Sequence, residues 1–196
     1  MPKPKSDPAV KPDDILTAEY EYIASTVFQA NEDRSRVASF YFVSVGSIVA
    51  AILGTQFAAD NLKSVSVAFS ILFFFLTVLG ALTIAQLARL RAAWHESVQA
   101  MNQLKNFYIN HHPEIRPAFK WRGTTIPPTD KPFSIANLIA VEVALLGGLT
   151  SAAAFYFALF AIGEILLWGW ALIILSFVTG VLLQWLWYKR LLVDDR

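Results

Sequence analysis

Four long stretches of this 196-residue chain carry almost no charge: Val37 to Phe57, Val65 to Ala88, Phe133 to Ile162 and Ile165 to Tyr188. Charge is costly in hydrocarbon, and an α-helix satisfies its own peptide groups, so stretches of this kind fold as helices that cross a bilayer. At helical rise about 20 residues span a hydrocarbon core of roughly 30 Å, and each stretch is long enough. Hydrophobic residues make up 56% of the chain and charged residues 16%, which leaves more apolar surface than one water-soluble core can hide. The expected fold is all-α, an integral membrane protein with four transmembrane helices. The links Ala58 to Ser64 and Gly163 to Glu164 are short, so the four helices are expected as two hairpins.

Orientation follows from lysine and arginine, which are retained on the cytoplasmic side of span ends. Arg34 and Arg36 precede the first span, Arg89 and Arg91 follow the second, Lys131 precedes the third, and Lys189 and Arg190 close the fourth. Between hairpin partners there is only Lys63. Both termini are therefore expected in the cytoplasm and both tips outside, in the inner membrane of a bacterial cell. Trp168 and Trp170 at one end of the fourth span, with Trp185, Trp187 and Tyr188 at the other, suit the headgroup layer.

The ends and the long central link form the cytoplasmic part. Residues 1–13 hold four prolines but no apolar core, which predicts a disordered tail and no signal peptide. From 14 to 36 an amphipathic helix is expected, capped by Asp13 and Asp14, with Leu16, Tyr20, Ile23 and Val27 in one apolar stripe. The second span continues past Arg89 to about residue 110, because Trp94, Val98, Met101, Leu104 and Tyr108 keep a three-and-four rhythm. Each segment reaches roughly 30 Å at helical rise, and pairing the stripes as a stalk hides both from water. Amphipathic helices lying on the lipid surface are the alternative. Residues 111–132 carry five prolines and read as an irregular connector in which Phe119, Lys120, Trp121 and Arg122 can face an anionic leaflet. Residues 189–196 form a cytoplasmic tail.

Inside the membrane, small residues let helix backbones approach. The third span places Ala136, Ala140, Ala144, Gly148 and Ala152 at four-residue steps, and the first places Gly46, Ala50 and Gly54 likewise. Both ridges are expected to make tight helix contacts, within one bundle or between subunits. Glu142 stands alone as an intramembrane acid, roughly 13 Å into the third span and so near the bilayer middle. Such acids face a partner, a cavity or an interface. Ser44, Ser47, Thr83 and Thr179 are the candidate hydrogen-bond partners. At 100° per residue Glu142 points away from Ala144, so two faces of the third span need cover, which an oligomer supplies more easily than a monomer.

No catalytic constellation is present. Cysteine is absent, His95, His111 and His112 lack carboxylate neighbours at ligand spacing, and no P-loop, GxGxxG, GxSxG or HExxH occurs. The chain is therefore not expected to be an enzyme, to bind a metal or cofactor, or to bind nucleic acid.

The run Gln29, Ala30, Asn31, Glu32, Asp33, Arg34 before an aromatic-rich span, the run Trp94 to Tyr108, and Phe119 to Arg122 resemble small uncharacterised bacterial four-span membrane proteins. The cytoplasmic-helix and hairpin layout is similar to RipA-type oligomeric membrane proteins and to SLATT-type membrane effectors. This resemblance covers architecture and carries over no functional residue. It implies a homo-oligomer whose cytoplasmic helices receive a signal or a protein partner and whose spans respond. Three readings follow: a non-enzymatic oligomeric membrane protein, pore-forming or signal-responsive; a small proton-coupled transporter using Glu142; or a membrane anchor for a cytoplasmic partner.

Overall fold

The computed structural model describes residues 12–54, 62–119, 122–123 and 125–194, and these contain helices and no strand. Four long helices dominate: α1 (Pro12–Gly54), α2 (Leu62–His111), α3 (Ile135–Ile162) and α4 (Leu167–Asp194). All four are long and apolar enough to cross a membrane. The expected tail up to residue 11, most of the first tip, Lys120 and Trp121 lie outside the described residues.

The boundaries have local causes. α3 starts at Ile135, two residues later than the apolar stretch suggests, because the Ser134 side chain accepts from the Asn137 N–H and Phe133 has φ 57. That left-handed backbone breaks any helix entering from the connector. At the other end the Gly163 N–H bonds the Leu159 carbonyl at 3.1 Å and closes the helix. Within the expected irregular connector a short 3-10 helix forms at Pro113–Ala118, its prolines limiting it to a single tight segment.

The chain divides into two compact units. The first takes α1 up to Asn31 and the chain from Ala93 to Pro128. Within it Thr26 Oγ1 meets Ser97 Oγ at 3.2 Å, so these parts of α1 and α2 lie side by side. Ile23, Ala30, Asn102 and Ile109 are buried, and Leu16, Val27, Trp94, Val98, Met101, Leu104 and Tyr108 are half-buried. Tyr20 departs from the expected stripe and is 51% exposed. The connector folds back with the Lys105 ammonium 5.7 Å from the Phe119 ring.

The second unit, Glu32–Ala92 with Thr129–Arg196, holds the apolar parts of all four helices. Its core gathers Tyr41, Val45, Phe73, Leu76, Ile84, Leu87, Val143 and Tyr188. Phe73 stacks on Phe157 at 5.6 Å, and Phe69 meets the same ring edge-on. The Tyr41 hydroxyl sits in a notch left by Gly80, where a Cβ would lie 2.6 Å from it. Hydroxyls tie the helices: Thr77 to Thr150 at 3.0 Å, Ser70 to the Ala154 carbonyl at 2.9 Å, and Ser151 to Ser176 at 2.7 Å. The order of the first two, residue 77 with 150 and 70 with 154, runs α3 antiparallel to α2.

Most apolar surface nevertheless points outward. Only 17% of the most apolar window of α1 and 11% of that of α4 is buried within the protein, the reverse of a water-soluble bundle.

The α3 ridge is buried along its whole length: Ala136, Ala140, Ala144, Gly148 and Ala152 all face inward. At its centre α3 and α4 touch backbone to backbone, since a Cβ on Gly180 would lie 3.1 Å from the Gly148 Cα. A Cβ on Gly148 would collide with Val181 and lie 2.8 Å from the Phe177 carbonyl oxygen. The α1 line differs. Gly46, Ala50 and Gly54 are exposed, and nothing lies within 4 Å of a Cβ built on either glycine, because α1 turns Ala38, Tyr41 and Val45 inward instead. Gly148→Leu is expected to lower the thermal unfolding midpoint of the purified protein, overpacking of this kind costing about 1–3 kcal/mol or more. Gly46→Leu is expected to leave it within a degree or two. Similar losses from both would contradict this packing.

Candidate functional site

Polar groups without partners, set in an apolar structure, mark the places where chemistry or assembly can occur. In the second unit they include Glu142, Gln184 and Arg34.

Glu142 lies on the outer face of α3. It is exposed and makes no hydrogen bond or ion pair among the described residues. Ile135, Leu138, Leu145 and Leu149 are exposed around it, and at 100° per residue all five fall within an arc of about 80°. The expected partners are engaged elsewhere or face away. Thr83 is buried and donates to the Leu79 carbonyl, Ser44 donates to the Phe40 carbonyl, and Ser47 and Thr179 are exposed. The reason is the ridge: burying Ala140, Val143 and Ala144 turns Glu142 to the opposite side. Thr150 pairs with Thr77, and eight antiparallel steps bring Glu142 level with Ala85, about 9 Å along the axis from Arg91. Along the helix the acid lies about 10 Å from the midpoint of α3, toward the end where the arginines cluster.

Gln184 is buried on the inner side of α4, its amide packed against Gly147, where no Cβ would fit. Its Oε1 has no hydrogen-bond partner. Gln184 lines a cavity of about 650 Å³ among α2, α3 and α4. The wall is mainly apolar, with Val78, Leu175 and Leu183, and is dotted by Thr77, Ser176 and Thr179. Glu142 is not part of this wall.

Arg34 and Arg91 form the third feature. Both are buried, at 6% and 7% exposure, beside the fully buried Tyr188, whose hydroxyl lies within electrostatic reach of both guanidinium groups. Arg91 Nε donates to the Thr129 carbonyl at 3.1 Å. Arg34 has no carboxylate partner; its Nε and Nη2 are buried without hydrogen bonds, and Thr129 Oγ1 is likewise unpaired. By contrast Arg36 pairs with Asp33 at 3.3 Å on the surface, a contact worth little. Two buried guanidinium groups repel and cannot shed their protons. A multi-oxygen anion is the group that would satisfy those donors.

As sequence features, Arg34 and Arg91 served only as orientation markers. The signal for their burial was their register: Arg34 keeps step with Ala38, Tyr41 and Val45, and Arg91 with Ile84, Leu87 and Ala88, all buried. The cavity and Gln184 had no such signal, since they depend on how α2 and α4 are placed. Replacing Arg34 with methionine, which keeps the stem, is expected to raise the thermal midpoint by several degrees, removal of an uncompensated buried charge being worth about 1–4 kcal/mol. Arg91→Met, which forfeits the bond to Thr129, is expected to lower it. Phosphate is expected to raise the midpoint of the wild type and not that of Arg34→Met. Equal shifts for the two variants would contradict this description. Comparison of the chain with known protein families, with curated proteins and with solved structures finds no match.

Proposed function

We propose that this chain is a non-enzymatic, multi-pass protein of the cell membrane that works as a homo-oligomer, with both termini in the cytoplasm and its four apolar helices as two membrane-crossing hairpins. The observation that carries the reading is Glu142, an exposed, unpartnered acid within an otherwise apolar outer stripe of α3. A carboxyl facing hydrocarbon is penalised, and a second subunit removes that penalty by covering it. One polar group on an apolar seam also sets register between helices, as a single polar residue does in a coiled coil.

The first unit fits the same reading. Ile15 and Tyr22, seven positions apart on one face of α1, are exposed, and so is Phe28. These side chains give a cytoplasmic helical element apolar surface for further copies or for a protein partner, whose binding the spans would then answer as a signal-responsive or pore-forming effector. The transporter reading receives less support, because Glu142 does not line the cavity.

Native mass spectrometry of the protein released from lipid nanodiscs tests this. More than one copy per particle is expected for the wild type and for Glu142→Gln, which keeps a hydrogen-bonding group. Glu142→Leu is expected to shift the population toward monomer at least several-fold. A wild-type protein found only as monomer would overturn the proposal.

A further inference from the structure

We infer that Arg34, Arg91 and Thr129 form a binding site for one phosphate group, a role independent of the oligomer reading. Arg34 is 6% exposed, and its Nε and Nη2 are enclosed without a hydrogen bond. In a planar guanidinium these two nitrogens share one edge. Their N–H groups point the same way, as a fork that fits two oxygens of a single anion. Both prongs of that fork lack an acceptor among the described residues.

The neighbours decide which anion fits. Arg34 lies within electrostatic reach of Arg91 and of the Tyr188 hydroxyl, and that hydroxyl, being neutral, does not balance two positive charges. Arg91 holds the Thr129 carbonyl at 3.1 Å and so keeps residue 129 beside the pair. There the Thr129 hydroxyl is buried and also unpaired. A hydroxyl donates once, so it and the fork together offer three donors. A carboxylate brings two oxygens. A phosphate brings oxygens enough for all three donors, together with the negative charge that two buried guanidinium groups require.

The group is reachable. The third nitrogen of Arg34, Nη1, is not among the enclosed atoms and makes no hydrogen bond among the described residues. An anion meets it first, and rotation about the stem torsions turns the fork to follow. On the four-span reading Arg34 precedes the first span, Arg91 follows the second and Thr129 precedes the third, which sets the site at the cytoplasmic headgroup layer. Basic pockets at that level take lipid phosphates. Soluble phosphate reaches the same level from the cytoplasm, and experiment separates the two sources.

The thermal unfolding midpoint of the whole protein in uncharged detergent tests the site. Sodium phosphate is expected to raise the wild-type midpoint by about 5 °C or more near saturation, and sodium chloride at equal ionic strength to leave it in place. Arg34→Met is expected to lose the shift. Arg34→Lys, which keeps the charge and forfeits the fork, is expected to lose most of it, and Thr129→Val to weaken the apparent affinity several-fold. Dioleoyl phosphatidic acid and dioleoylglycerol, which has the same tails and no phosphate, identify the source. If phosphatidic acid alone of these two gives the shift, abolishes the further response to sodium phosphate and is retained by the wild type but not by Arg34→Met in native mass spectrometry, the site is supported with a lipid phosphate as its ligand. If phosphatidic acid has no effect while sodium phosphate acts, the site is supported with a soluble one. No shift from either phosphate probe, an equal shift from dioleoylglycerol, or a shift that survives Arg34→Met would overturn it.

Discussion

An apolar helix surface turned away from its own core has to find a medium other than water, and every other property of this protein depends on that requirement. Phe40, Phe74, Phe75, Ile174 and Leu182 all face outward. In water such a surface would drive collapse or aggregation, at roughly 25 cal/mol for each Å² exposed. In hydrocarbon it costs nothing. On the proposed membrane reading the same medium removes the usual reason for helices to associate, so the bundle is held by other means.

Those means are visible in the second unit. Small residues on α3 let α4 approach until Gly148 and Gly180 touch, which maximises dispersion contacts. Hydroxyls of Ser70, Thr77, Thr150 and Ser151 bond across helices and add modest, directional attraction. Against this background an unpaired polar group is conspicuous. Glu142, Gln184 and Arg34 each carry hydrogen-bonding capacity that the described residues leave unused. Arg34 lies nearer the chain segments rich in charge, where its side chain meets Arg91 and Tyr188 and not a carboxylate.

Much of the helical layout was legible in the sequence because charge distribution is a one-dimensional signal. Charge-free runs marked α1 to α4, and the four-residue step of alanines and glycine marked the inner face of α3. Where a signal needed three dimensions, it failed or stayed silent. The Gly46, Ala50, Gly54 line has the same spacing as the α3 ridge, but spacing does not say which way a helix is rotated, and Tyr41 and Val45 won the inner face of α1. Arg34 and Arg91 looked like boundary markers because arginine at a span end usually is one. Their place in the buried rhythm of their helices was the overlooked clue. Glu142 was recognisable as unusual, yet its level against α2 required the Thr77–Thr150 register, which no local pattern reveals.

The central claim is that the four apolar helices cross a bilayer with their charged ends on one side. It is tested most directly by labelling single cysteines, introduced at Lys63, Glu164 and Gln99, with a membrane-impermeant maleimide. The account predicts labelling of the first two positions in intact cells and of the third only after lysis. Labelling of all three only after lysis, or recovery of the protein in the soluble fraction, would contradict it.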